Sequence, residues 1–389
     1  MAKVKLGIIG VGNMGTGHSK NYLDGLMPEI EITAVADRNP ARREWAKENL
    51  PGVKVFEEGV DLIHSGACEA VLIATPHYQH PPLAIEAFKN GLHVMVEKPA
   101  GVYTLQVREM NAEADRHPEL TFGMMFNQRT NCTYRKMHEL IHSGAIGDLK
   151  RVNWIITDWY RTQFYYDSGA WRATWAGEGG GVLLNQCPHQ LDLVQWLVGL
   201  PCKVQGFCHE GKWHNIEVED DVTAYLEFPG GATGVFIAST GELPGTNRLE
   251  IACDRGKVVC ENGQLTLWRL PQSESAYYRR SASAYPHAEV QVEILPLDGE
   301  NPQHVGVLNA FAAHILHGTP LVADGAEGIR ALMLSNAMHL SSWTGKPVSL
   351  PIDEGEFARL LAEKRLHSRK KQVKEVTFAT DHSGTGRAK

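Results

Sequence analysis

The chain has 389 residues, 43% of them hydrophobic, and a formal net charge of −7. That length exceeds the usual limit of a single core and implies two domains, while Lys and Arg spread along the chain form no basic stripe for nucleic acid. No apolar run approaches the roughly 18 residues needed to span a bilayer, so a membrane partner is excluded as well.

The first strand-like run, residues 3–9, begins almost at Met1 and leaves no room for a charged region followed by an apolar leader, so the expected location is cytoplasmic. At once follow Gly10-Val11-Gly12-Asn13-Met14-Gly15 and a helix-compatible segment through Leu26. In a strand, glycine turn and helix, Gly10 permits the tight turn, Gly12 lets backbone approach a pyrophosphate, and Gly15 allows close helix packing, with phosphate at the positive helix end. Residues 31–37 read as a second strand ending in Asp37, 22 residues past Gly15, close to the spacing of a ribose-binding carboxylate. Asp37 repels a 2′-phosphate and favours NAD, whereas Arg38 beside it suits NADP.

Strand signals continue at 53–56, 70–75, 93–96 and 121–126, separated by helical stretches at 40–49, 82–90 and 105–114. Strands alternating with helices predict a doubly wound parallel sheet. Val96-Glu97-Lys98-Pro99 ends the fifth strand, where open α/β sheets place ligands, and directs Lys98 toward the crevice. Between Trp154 and Trp175 lie eight aromatics in 22 residues, against 8% for the whole chain. Aromatic faces suit the C–H faces of sugar rings, which makes Trp154, Tyr160 and Trp171, with Arg161 and Arg172 for hydroxyls, candidate substrate residues; packing in a sheet or interface explains such clustering equally well.

Gly177-Glu-Gly-Gly-Gly then leads into an apolar helical run in which Asn185, His189 and Asp192 fall on one stripe. Strand-like runs at 221–228, 233–239, 248–252 and 257–260, with Gly-rich turns such as Pro229-Gly230-Gly231, predict an antiparallel sheet. His304 precedes a helical run through His317, and from about His367 the chain becomes polar, predicting a loosely packed tail at 367–389. Seven cysteines, odd in number and without a CxxC pair, predict neither disulfides nor a zinc site, and no ligand cluster calls for a metal.

The glycine fingerprint, Asp37, Ala74-Thr75-Pro76 with His80, Glu97-Lys98-Pro99 and the Gly-rich turn before His189 occur together over roughly residues 3–350, and with them the chain resembles the Gfo/Idh/MocA oxidoreductases. The resemblance implies an NAD(P)-binding Rossmann domain over 1–127 and an α/β domain over 128–366 with a large, mostly antiparallel open sheet for substrate binding and homodimer or homotetramer formation. It implies cofactor contacts from Asn13, Met14, Thr75, Pro76, His80, Glu97 and Gln128. Lys98 would touch nicotinamide ribose and substrate, His189 would act on the substrate hydroxyl, and His304 would lie near it, a surface or capping role suiting His304 equally well. Where the family usually carries a carboxylate four residues before this His, the chain has Asn185, which positions an imidazole or hydroxyl but cannot stabilise an imidazolium by charge. Asp192 is expected to turn toward solvent or backbone rather than replace that charge.

The expected function is an NAD-dependent dehydrogenase acting on a secondary hydroxyl of a sugar, glycoside or cyclitol, with His189 as base and Lys98 stabilising the alkoxide. Two alternatives share these residues: a redox-neutral enzyme that transiently oxidises a sugar to cleave or isomerise it, and an NAD-binding sensor.

Overall fold

A computed structural model describes residues 2–369 and 371. Six parallel strands, β1 (Val4–Ile9), β2 (Ile30–Ala36), β3 (Lys54–Phe56), β4 (Ala70–Ile73), β5 (His93–Val96) and β6 (Phe122–Met124), lie in the order β3-β2-β1-β4-β5-β6. Helices cover both faces, so β4 is buried at every residue and β1 at all but Lys5. Continuous apolar runs are what such double coverage requires. The strand order reverses between β1 and β4, and the crevice beyond their carboxyl ends is where open α/β sheets bind ligands.

The second sheet has nine strands: β7 (Leu149–Ile156), β8 (Lys203–Glu210), β9 (Glu219–Glu227), β10 (Thr233–Ser239), β11 (Asn247–Cys253), β12 (Gly256–Glu261), β13 (Gln264–Arg269), β14 (Gln291–Ile294) and β15 (Val348–Ser349). Their order is β14-β13-β12-β11-β7-β10-β9-β8-β15, antiparallel throughout except for β7 against β10. The expected doubly wound domain followed by a mostly antiparallel open sheet is therefore the architecture found.

Two expectations need correction here. Trp154 is not a cleft residue: it lies within β7, 1% exposed, against Tyr134 and Phe236. The inward alternation Val152, Trp154, Ile156 is a strand signal that the aromatic clustering overshadowed. The helix Gln303–His317, although late in the chain, packs Leu308, Phe311 and Ala312 among Leu6, Ile8 and Met95 of the first sheet, so the 128–366 segment returns to complete the first core.

One face of the large sheet is covered by helices that include Pro188–Val198 and Gly328–Thr344. The other exposes Phe207 and Tyr225 on adjacent strands and Ile155 on β7. The polar tail falls outside the described residues beyond residue 371. The described part of it docks: Ser368 and the Arg369 N–H donate to Glu217, and Lys371 Nζ donates to the Tyr166 and Arg172 carbonyls. Among the described residues no helix is long and apolar enough to cross a membrane, and no disulfide is formed.

Candidate active site

The fingerprint turn is shaped by contacts only glycine permits. Gly10 sits at φ +97°, and a Cβ on Gly15 would come within 2.0 Å of the Gly10 carbonyl oxygen, so the helix Asn13–Leu23 starts directly against the strand end. A Cβ on Gly12 would meet nothing within 4 Å, because that position opens onto a cleft of about 1620 Å³. Gly10, Gly12, Asn13, Met14, Asp37, Arg38, Thr75, Pro76, His80, Glu97 and Lys98 line this cleft, whereas Gly15 acts beneath it through packing. The Asp37 carboxylate is fixed by the Val11 N–H at 2.7 Å and the Asn39 N–H at 2.8 Å. Arg38 is turned to Glu58, with its Nε 2.9 Å from one carboxylate oxygen, so its charge already has a partner at this end of the cleft. Glycine backbone at a helix N-terminus followed by a positioned carboxylate fits the pyrophosphate and ribose of a dinucleotide.

His80 braces the walls: its Nδ1 and Nε2 lie 2.7 Å from the Pro99 and Thr75 carbonyl oxygens. Glu97 is buried against His18, Oε1 to Nε2 at 2.7 Å. Burial opposes its charge, but the His18 hydrogen bond and positive field prevail and bring its pKa down to about 2. Gln128 is buried and donates to Gln303 at 2.9 Å; neither it nor Tyr160 is among the cleft-lining residues.

Lys98 reaches across to the second domain, where Nζ donates to the Asn185 carbonyl at 2.9 Å. That acceptor exists because the expected continuous helix is broken. Val182–Asn185 is one short turn, and Pro188, which has no N–H, starts the helix Pro188–Val198. Asn185 is the last residue of its turn, so its carbonyl belongs to the end group that a helix leaves unpaired. The single stripe of Asn185, His189 and Asp192 is thus corrected to two elements meeting at a proline.

The side chain of Asn185 donates to Glu178 and accepts the Tyr165 hydroxyl at 3.4 Å. The negative charge missing from position 185 therefore stands against it, on a buried carboxylate seven residues upstream that also accepts the Ala173 N–H at 2.5 Å. Burial raises the Glu178 pKa, opposed by Arg172 and these hydrogen bonds. Inspection by helical spacing missed Glu178; the available signal was a lone acid inside a glycine run. Asp192 is corrected too: it faces neither solvent nor backbone, but forms a two-pronged pair with Arg129 at 2.7 and 2.9 Å.

His189 is 3% exposed, and among the described residues neither ring nitrogen has a hydrogen-bond partner. Burial first, then the fields of Lys98 and His304, hold its pKa well below 6.5, so the ring is neutral at neutral pH. His304 lines the cleft, packs edge-on to His18, and is lowered to about 4, chiefly by burial. Lys98 is itself lowered, by burial and by the fields of Arg172 and Arg161 against the pull of Glu97 and Glu178. His189 does not line the cleft; Lys98, Asn185, Trp171, Arg161 and Arg172 do. The site thus joins a neutral imidazole, a partly desolvated ammonium and a dinucleotide-shaped cleft, the parts needed for removing a proton from an alcohol as hydride leaves its carbon.

Residues 4–123 match the profile of an oxidoreductase family with an NAD-binding Rossmann fold, and residues 134–259 match a GFO/IDH/MocA C-terminal domain. Among similar proteins, scyllo-inositol 2-dehydrogenase (NAD(+)) of Bacillus subtilis is 28% identical over 362 residues, covering 90% of this chain and 97% of that one. The rhizopine catabolism protein MocA of Rhizobium meliloti is 28% identical over 199 residues; the match takes in 51% of this chain and 58% of that protein. The WlbA dehydrogenase of Chromobacterium violaceum, solved with NADH and UDP-GlcNAcA, superposes with a TM-score of 0.77 at 27% identity, covering 91% of this chain and 97% of that chain.

Proposed function

The chain belongs to the Gfo/Idh/MocA oxidoreductases, and from that premise we propose that it oxidises a secondary hydroxyl of a sugar, glycoside or cyclitol with NAD. The observation that carries this reading is Lys98, fixed by the Asn185 carbonyl in the cleft wall close to the unpartnered, neutral His189. NAD, held by the glycine turn and Asp37, supplies the hydride acceptor. Lys98 keeps further N–H donors beyond the one given to Asn185, and these hold the substrate hydroxyl and stabilise the developing alkoxide. His189 is the base; as it does not line the cleft, Lys98 relays the proton, giving one of its own to His189 as it takes the hydroxyl proton, so that Lys98 ends as an ammonium and His189 ends protonated. Asn185 orients Lys98 through its backbone carbonyl, while its side-chain amide is held by Glu178.

The decisive assay supplies purified protein and NAD with a panel of inositols and glycosides and follows reduced cofactor by absorbance. Reduction with at least one is expected; none across a broad panel would remove the reading. Asp37→Ser removes the carboxylate that rejects a 2′-phosphate, so the kcat/KM ratio of NAD to NADP falls by about 10- to 100-fold. An unchanged ratio would separate Asp37 from cofactor choice.

The exposed apolar strip of Phe207, Tyr225 and Ile155 on the open sheet suits a second copy of the chain. Sedimentation is expected to give a homodimer or homotetramer, and Phe207→Glu is expected to weaken it. A monomer at micromolar concentration would overturn this assignment.

A further inference from the structure

The cleft changes sign along its length. Its adenosine end carries Asp37, Glu57 and Glu58 around Arg38, whereas the wall beyond Lys98 is built by Arg161, Tyr165, Trp171 and Arg172. Among the described residues neither arginine makes an ion pair. Arg161 donates from Nη1 to the Trp159 and Tyr160 carbonyls at 3.3 and 2.9 Å, and Arg172 donates from Nη1 to the Tyr165 hydroxyl at 2.8 Å. Each guanidinium therefore keeps further donors without a partner among the described residues. Their Cζ atoms lie 5.1 and 4.6 Å from the Tyr165 ring centroid, so both cations stand against one aromatic ring.

These positions are built rather than incidental. His214, pinned by Asp220 at 2.9 Å, lies with Nε2 2.8 Å from the Arg161 carbonyl oxygen, and Lys371 Nζ donates to the Arg172 carbonyl at 2.9 Å. The nearby carboxylates are already engaged: Glu178 by the Ala173 N–H and the Asn185 amide, Glu97 by His18. The two guanidinium groups repel the half-buried Lys98 ammonium, and after burial their fields are what lower its pKa. Neutral hydroxyls leave that repulsion in place, while an anion removes it and matches the forked geometry of arginine.

We propose that Arg161 and Arg172 form an anion subsite at the substrate end of the cleft, so that the substrate is a sugar or cyclitol carrying a carboxylate or phosphate. This deepens the dehydrogenase reading and rests on it, because the group to be oxidised must still reach Lys98.

The test measures equilibrium binding to the NADH-loaded protein of three probes: methyl β-D-glucuronide, D-glucose 6-phosphate and methyl β-D-glucoside. At least one anionic probe is expected to bind tenfold or more tighter than the neutral glucoside. That excess shrinks at least fivefold in Arg161→Gln and in Arg172→Gln, and declines as salt is raised. The anionic probe that binds identifies carboxylate or phosphate as the source. Equal binding of all three, or an excess that survives both substitutions, overturns the proposal. The two readings fail separately. Reduction of NAD by neutral sugars without Arg-dependent anion binding leaves the dehydrogenase and removes the subsite. Arg-dependent anion binding without NAD reduction by any sugar does the reverse.

Discussion

Lys98→Met lowers kcat/KM by about 100- to 1000-fold, the loss expected when a positioned donor to a developing oxyanion is removed. Methionine keeps the length and apolar body of the side chain, so the wall at the end of β5 stays filled, while the donor to the Asn185 carbonyl and to substrate disappears. Initial rates with the best substrate of the panel measure the effect, and NADH fluorescence titration shows how much of it comes from cofactor affinity. A variant within tenfold of wild type would take Lys98 out of the chemistry. The pH profile carries the same assignment. His189 must be unprotonated to accept a proton, and its pKa is held well below 6.5, so kcat/KM stays level through neutrality and falls only at markedly acidic pH. Lys98 must keep its proton, and its pKa is lowered from 10.5, so the alkaline limb lies below that value. An acid limb at or above 6.5 would show that another group is the base.

Asp192→Ala is expected to act on folding rather than on chemistry. The Arg129 side chain is 3% exposed and held by both Asp192 oxygens, with Glu327 as a further partner at 2.7 Å. Removing one member of a buried pair leaves the other charge inadequately compensated, at a cost of about 3–5 kcal/mol, here toward the lower end because Glu327 remains. Urea unfolding reads the loss, and kcat per folded molecule is expected to stay within tenfold of wild type. A kcat decrease of 100-fold or more with stability intact would instead make Asp192 the charge partner of His189. The two variants read different roles: the first tests contact with substrate, whereas Asp192 locks the helix Pro188–Val198 onto the segment carrying Arg129.

How much was legible depended on the range of the interaction. Alternating apolar runs and glycine turns are local signals, and the six strands of the first sheet fall within a few residues of their expected places. The same holds for β9 to β12 and for the helix ending at His317. Strands β7, β8 and β13 to β15 carry weaker local signals; in β7 the aromatic clustering masks a period-two pattern centred on one buried tryptophan.

By itself the sequence determined the fold class, the dinucleotide turn and the presence of Lys98 and His189, because each is written in a short contiguous pattern with a fixed backbone consequence. Only the tertiary structure decided what those residues touch. Lys98 meets a carbonyl 87 positions away, Asp192 answers an arginine 63 positions earlier, and Glu178 serves Asn185 across a glycine turn that no helical spacing describes. Such contacts arise when the chain closes on itself and buried polar groups must find partners. The paired arginines show the same limit: their lack of an ion pair depends on where every described carboxylate has gone, which no stretch of the chain records by itself.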